Sequence, residues 1–201
     1  MIELKNIEPL CSSRNYKIFQ HPLDKLSILK VRVDKPVRNH LIPRYAERRY
    51  GNLRQWNREA NEYLAALNRN VPEIERLAQF KGFAVTTLGP ALVVEKLTGP
   101  DGQLAPTLET ERVAAIGNLH KSKELRDELM ELLDELERGR IIVGDLTFDN
   151  VVRAEERGGK LAIIDGLGER VLIPLTLLSD WAFRQSIKRR RKRMALGFGL
   201  G

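Results

Sequence analysis

The amino-acid sequence predicts an α+β fold in two parts: an antiparallel sheet with one helix in residues 1–98, and a reduced, mainly helical part in residues 99–201. Three observations predict it. Short segments rich in β-branched and aromatic residues, separated by turn residues, crowd the first part. A leucine stripe at helical spacing dominates the middle of the second. Between them Gly99-Pro100-Asp101-Gly102 interrupts any regular element.

Tyr16–Phe19 and Leu26–Val33 read as strands separated by the turn His21-Pro22-Leu23-Asp24. Pro36 and Pro43 bracket a polar connection. Leu53 to Leu67 reads as a helix, with Trp56, Ala60, Tyr63, Leu64 and Leu67 at three- and four-residue steps. Pro72 opens a short second helix, Glu73 to Phe80. Phe83–Leu88 and Ala91–Leu97 read as strands with Gly89-Pro90 as the turn between them. Beyond the break, Thr107–Leu119 and Glu124–Arg138 read as helices. Leu125, Leu129, Leu132, Leu133 and Leu136 put one apolar stripe on the latter, and Gly139 stands where a C-terminal cap is expected. Arg140–Val143, Asn150–Arg153 and Leu161–Ile164 are short apolar runs, the last two joined by the turn Glu156-Arg157-Gly158-Gly159. After Pro174 the pattern is helical through Trp181 and Phe183. A basic run, Lys188–Arg193, and a Gly-rich tail close the chain.

Composition narrows the function classes. The 42% of apolar residues can fill a sizeable core. A formal net charge of +7 favours anionic partners such as nucleotides, nucleic acid or acidic lipid, and names none of them. The single cysteine, Cys11, cannot form an intrachain disulfide and suits a reducing compartment. His21, His40 and His120 lack ligand spacing. No run reaches the roughly 18 apolar residues of a membrane span. The expectation is a cytoplasmic protein without a signal peptide.

The segment richest in chemistry is Ile142-Val143-Gly144-Asp145-Leu146-Thr147-Phe148-Asp149-Asn150-Val151-Val152. An Asp and an Asn stand five residues apart between apolar runs, and Ile163-Ile164-Asp165-Gly166 follows as a strand ending in an acid and a glycine. Apolar flanks fix the backbone, so the polar groups at the strand ends are held for use. Magnesium takes oxygen ligands and usually shares them with phosphate, which suits Asn150 and Asp165. Asp145 and Asn150 also suit ordinary turns, and Lys30 alone suits a solvated strand edge.

The order and spacing resemble the catalytic loop D-L-x-x-x-N and the metal-binding D-F-G of protein kinases. Ser27-Ile28-Leu29-Lys30-Val31 looks like the kinase strand that carries the phosphate-binding lysine. Val93-Val94-Glu95-Lys96-Leu97 looks like the hinge. More closely, the chain resembles the YrbL family of PhoP regulatory network proteins, through Pro9-Leu10, His21-Pro22, Asn150-Val151-Val152, Ile164-Asp165 and Gly168–Leu175.

The kinase resemblance implies a two-lobed kinase-like fold with a truncated C-lobe, and ATP and Mg2+ as cofactors. It implies that Lys30 holds the α/β-phosphates, tethered by Glu59 or, one turn on, Glu62. Glu95 and Leu97 would meet the adenine. Cys11, Ser12 and Ser13 stand at the place of the Gly-rich phosphate loop. Asn150 and Asp165 would ligate the metal, and Asp145 would orient or deprotonate the acceptor hydroxyl.

The chain also departs from the kinase pattern. The glycines of the phosphate loop are missing, Val143-Gly144 replaces His-Arg, Thr147 replaces a lysine, and Gly166 replaces the Phe. Too little chain follows Gly168 for the helices that hold a peptide substrate. The expected activity is phosphotransfer to a non-peptide or atypical protein acceptor. The alternatives are a pseudokinase that senses nucleotide, and a basic protein that binds nucleic acid or an anionic surface through Lys188–Arg193. The truncated second part leaves room for a homodimer.

Overall fold

The computed structural model describes residues 1–13, 16–33, 49–168 and 179–199. The Pro36–Pro43 connection, Arg14, Asn15 and the segment 169–178 lie outside the described residues. The fold is mixed α/β, with an antiparallel sheet and, among the described residues, four α-helices. Contacts divide the chain into two compact units, residues 1–57 with 79–96, and residues 58–78 with 97–201.

The first unit is built on five antiparallel strands: β1 (Cys11–Ser12), β2 (Tyr16–Gln20), β3 (Ser27–Arg32), β4 (Phe80–Thr86) and β5 (Gly89–Glu95). Their order is β1-β2-β3-β5-β4. Alternation along the strands sorts the side chains onto two faces. Phe19, Leu29, Val31 and Ala91 cluster with Leu4 in one core. On the other face Ile18, Lys30, Leu92 and Phe83 stand in one cross-strand row. Helix α1 (Arg54–Asn68) contributes Trp56, 1% exposed, whose ring stacks on Tyr16 at 6.5 Å and meets Phe83 at 6.3 Å.

Two expectations are corrected here. The β4–β5 turn is Thr87-Leu88, not Gly89-Pro90. Thr86 Oγ1 accepts the Leu88 N–H at 3.1 Å and donates to the Gly89 carbonyl at 2.7 Å, closing a two-residue hairpin. Gly89, at φ +106°, is the first residue of the returning strand. The expected helix Glu73–Phe80 is a 3-10 turn, Pro72–Arg76. Its backbone becomes extended at Leu77, and the Ala78 N–H donates to the Ile163 carbonyl at 2.8 Å instead of continuing a helix.

The second unit packs α1 from Arg58 onward with α2 (Leu108–Ala114), α3 (Leu119–Arg138), the two-stranded ribbon β6 (Val151–Ala154) and β7 (Lys160–Ile163), and α4 (Asp180–Leu196). All five stripe leucines of α3 are at most 3% exposed. They join Ile141, Val143, Leu146, Val151, Leu161, Ile163, Met194 and Phe198 in one core. Isolated bridges from Leu77 to Ile163 and from Thr107 to Val152 cover both edges of the ribbon.

Two details differ from the sequence expectation. Leu64 and Leu67 of α1 are exposed at 52% and 56%, while Glu59, Glu62 and Ala66 are buried, so two acids take positions assigned to aliphatics. The helix expected over Thr107–Leu119 ends at Ala114. Gly117, at φ +85°, reverses the chain, and Asn118 caps α3 by accepting the Lys121 N–H at 3.0 Å, five residues before Glu124. At the other end of α3 Gly139 is the C-cap, as expected, its N–H donating to the Glu135 carbonyl at 2.9 Å, and the left-handed residue is the next one, Arg140 (φ +52°). A Cβ on Gly139 would lie 3.0 Å from Glu73 Cβ, so the site is tightly packed. Lys188–Arg193 lies within α4. Among the described residues no helix is long and apolar enough to cross a membrane.

Candidate functional site

The second unit gathers Asp145, Asn150 and Asp165 into one knot. Ile142 is pinned on both backbone groups: its N–H donates to Glu62 Oε1 at 3.1 Å, and its carbonyl accepts the Gly168 N–H at 2.8 Å. Val143 bridges to Leu167 and Gly168. The Asp145 N–H donates to the Gly166 carbonyl at 3.1 Å, and the Ile164 N–H to the Asn150 carbonyl at 3.0 Å. Segments 142–150 and 164–168 are thus tied together by backbone bonds; the Asn150–Ile164 bond continues the β6–β7 register, and the turn at Phe148–Asn150 shifts the pairs beyond it.

Side chains complete the knot. Asn150 Nδ2 donates to the Asp145 carbonyl at 2.7 Å. That bond ties the amide group to the loop backbone. Asp165 Oδ1 accepts the N–H of Gly166 at 2.6 Å. All three polar residues are half-buried. Gly166, at φ +86°, lets the strands close: a Cβ there would stand 2.6 Å from the Asp145 carbonyl oxygen and 3.1 Å from Asn150 Nδ2. Glycine is the residue that meets both demands.

An amide oxygen beside a carboxylate is a two-ligand set of hard donors, short of a full cation cage. Among the described residues no three His, Cys, Asp or Glu side chains gather as a metal site. Magnesium needs no such cage when phosphate supplies the remaining oxygens.

In the first unit Lys30 lies mid-strand in β3 and is 5% exposed, flanked by Ile18 of β2 and Leu92 of β5. Cys11 of β1 pairs with Ile18, which puts Cys11 in the same cross-strand row as Lys30. Burial pushes the Cys11 thiol up, and the Lys30 charge works in the opposite direction. Ser12 pairs with Lys17 in the short β1 strand and is exposed. Ser13 is committed to the β1–β2 turn: its N–H donates to the Tyr16 carbonyl at 2.8 Å, and its hydroxyl accepts the Tyr16 N–H at 3.1 Å.

The remaining expected residues have defined surroundings. The Glu95 N–H donates to the Gln79 carbonyl at 2.9 Å, and Glu95 Oε2 accepts the Gln79 N–H at 3.0 Å. Leu97, counted with the second unit, is buried and accepts the Ala105 N–H at 3.0 Å. Glu59 is 7% exposed on α1 and groups with the second unit. Glu62 Oε1 holds the Ile142 N–H and accepts from Arg69 at 3.4 Å, so it anchors the strand that leads into Asp145.

The sequence matches a known family over nearly its whole length. The PhoP regulatory network protein YrbL family model matches residues 2–198. The chain belongs to that family. It is 27% identical over 195 residues to the uncharacterized protein YrbL of Escherichia coli (strain K12), covering 96% of this chain and 86% of the relative. The YrbL protein of Shigella flexneri matches with the same identity and coverage. Both carry the description uncharacterized, so YrbL membership fixes kinship and leaves the activity open.

Sequence reasoning passed over several residues that shape the knot. Gly166 was visible only as a substitution in a motif, whereas its function is close approach. Glu62 was expected only as an alternative tether for Lys30, not as the acceptor of the Ile142 N–H. Arg193 and Gly197 also reach the loop, from a part of the chain with no sequence proximity to it.

Proposed function

We propose that this YrbL-family chain binds ATP with Mg2+ in the manner of a reduced, two-lobed protein kinase and transfers phosphate to a non-peptide or atypical protein acceptor. The observation that carries the reading is the knot of Asp145, Asn150, Asp165 and Gly166. It holds a potential base, an amide oxygen and a carboxylate on a rigid backbone, in the order that phosphoryl transfer to a hydroxyl requires.

In this reading Asn150 Oδ1 and Asp165 would hold magnesium, which would supply charge neutralisation to the phosphates. Asp145 accepts the proton of the attacking hydroxyl as the P–O bond forms and the nucleoside diphosphate leaves. Lys30, buried in β3, takes the α/β-phosphates, with Glu59 as its proposed tether. The exposed Ser12 is a phosphate-side contact, while Ser13 is already occupied by its turn. Glu95 and Leu97 are the proposed adenine contacts, Glu95 through groups other than its committed N–H.

The test is nucleotide binding followed by turnover. Wild type should gain about 2.7 kcal/mol of stability at 100 times the dissociation constant for ATP with Mg2+, and Asp165→Asn should lose most of that gain. Asp145→Asn should keep binding and lower labelled-phosphate transfer by about 10²–10⁴-fold. Binding with no transfer in wild type favours the pseudokinase reading. No thermal shift at millimolar nucleotide contradicts both.

A second reading has its own observation. The outer face of α4 carries Arg184, Lys188, Arg189 and Lys192, all exposed, with Trp181 at 72% exposure at one end. Among the described residues none of these four cations has an ion pair or side-chain hydrogen bond. Such a face suits a polyanion. Binding to a short RNA that weakens steeply with salt and is lost when these four become Gln would support it.

A further inference from the structure

We infer that the C-terminal segment Arg193–Phe198 is a built-in brace that sets the position of the Asp145–Asn150 loop, with Arg193 as its positioning residue. The function of what is positioned rests on the phosphotransferase reading. The brace itself rests on contacts within the second unit.

Four contacts converge on the loop. Arg193 Nη2 donates at 2.8 Å to the carbonyl of Leu146, the residue directly following Asp145. Phe198 meets Phe148 edge-to-face, with ring centroids 5.3 Å apart and planes at 88°. Gly197 lies so close to that ring that a Cβ would stand 2.6 Å from Phe148 Cε2 and 2.7 Å from Cζ. Arg112 of α2 ties the two together: its Nη1 donates to the Gly197 carbonyl at 3.0 Å, and its guanidinium sits 5.2 Å from the Phe148 ring centroid. Arg112 is itself fixed by a two-pronged bond to Glu109, at 2.9 and 2.7 Å.

The loop needs such help. Residues 144–147 belong to no helix or strand, and only the 3-10 turn Phe148–Asn150 precedes β6. Its internal bond ties Asn150 to the Asp145 carbonyl and the Gly166 carbonyl takes the Asp145 N–H, whereas the Leu146 carbonyl and the Phe148 ring are held by the C-terminal segment and Arg112. Leu146 is 1% exposed, so its carbonyl is cut off from most solvent and depends on the Arg193 donor. Met194 and Phe198 belong to the same core as Leu146 and Val151, which anchors the brace at its base. Arg191, two residues before Arg193, pairs with Asp134 and Glu137 of α3 and fixes the rotation of α4. The basic run is therefore divided: part of it serves the loop and the core, and part faces outward.

The test compares wild type with Arg193→Met, Arg193→Lys and Gly197→Ala, in the full chain. Hydrogen exchange should speed up at the amides of residues 145–151 in Arg193→Met, by about tenfold or more, while amides of β2, β3 and β5 stay unchanged. Arg193→Lys should recover part of that protection. Gly197→Ala should loosen the same amides by displacing Phe148. In the transfer assay Arg193→Met should lower kcat by about tenfold with the KM for ATP within about twofold, since a positioning loss acts on the reacting geometry. Unchanged exchange at 145–151, or a rise spread evenly over the chain, would overturn the brace. If wild type transfers no phosphate, the phosphotransferase reading falls, and the exchange comparison still decides the brace.

Discussion

At the scale of single residues, the knot depends on one missing methyl group. Gly166 has a left-handed backbone and stands against the Asp145 carbonyl, so two independent constraints point to the same residue. Gly166→Ala should therefore cost about 1–3 kcal/mol from the backbone alone. It should also push Asp145 and Asn150 apart. The expected outcome is lower stability in urea denaturation and a weaker response to ATP with Mg2+ than Asp165→Asn leaves. A variant that melts like wild type would show that the loop can yield without harm. Asn150 follows the same logic: its Nδ2 is committed to the Asp145 carbonyl, which ties its side chain to the loop.

At the scale of elements, the second unit is held by α3 and the ion pairs around it. Arg76 donates to Glu135 of α3 through Nε and, at 2.8 Å, through Nη2, and also reaches the Leu161 carbonyl of β7 at 3.3 Å. The Arg76 bond holds the Glu135 carboxyl below its usual range, against the opposing effect of burial. A carboxylate with a depressed folded pKa contributes stability above its unfolded value, about 4.3, and loses it as pH falls through the folded value. Glu135→Gln should be less stable than wild type at neutral pH and should lose less on acidification, in urea titrations at both ends of that range. Parallel curves would remove Glu135 from the account.

Much of this was legible in the sequence, for identifiable reasons. Strands β2 and β3 and the leucine stripe of α3 follow period and burial together, so pattern alone located them. The motif Asp145–Asn150–Asp165 was legible as spacing, and the fold brings those residues together. What stayed hidden depended on distant partners. The 3-10 turn at Pro72 ends where Ala78 finds Ile163, and the Thr87-Leu88 hairpin is set by the Thr86 hydroxyl. Glu59 and Glu62 take buried positions because polar partners exist for them, and hydrophobic periodicity has no symbol for that. Arg193 looked like one charge in a run because the Leu146 carbonyl it serves lies 47 residues away.

At the scale of the whole molecule, a chain of the YrbL family gathers Asp145, Asn150 and Asp165 within its second unit. The C-terminal helix reaches the loop through Arg193, and its outer face carries exposed cations. The central claim is that Asn150 and Asp165 hold a divalent ion only together with the phosphates it carries. Electron paramagnetic resonance of Mn2+ with a non-hydrolysable ATP analogue tests it most directly. Wild type should bind one Mn2+ per chain when nucleotide is present and almost none without it. The Asn150→Ala, Asp165→Asn double variant should bind none. Equal Mn2+ binding in wild type and the double variant, or none in either, would contradict the account.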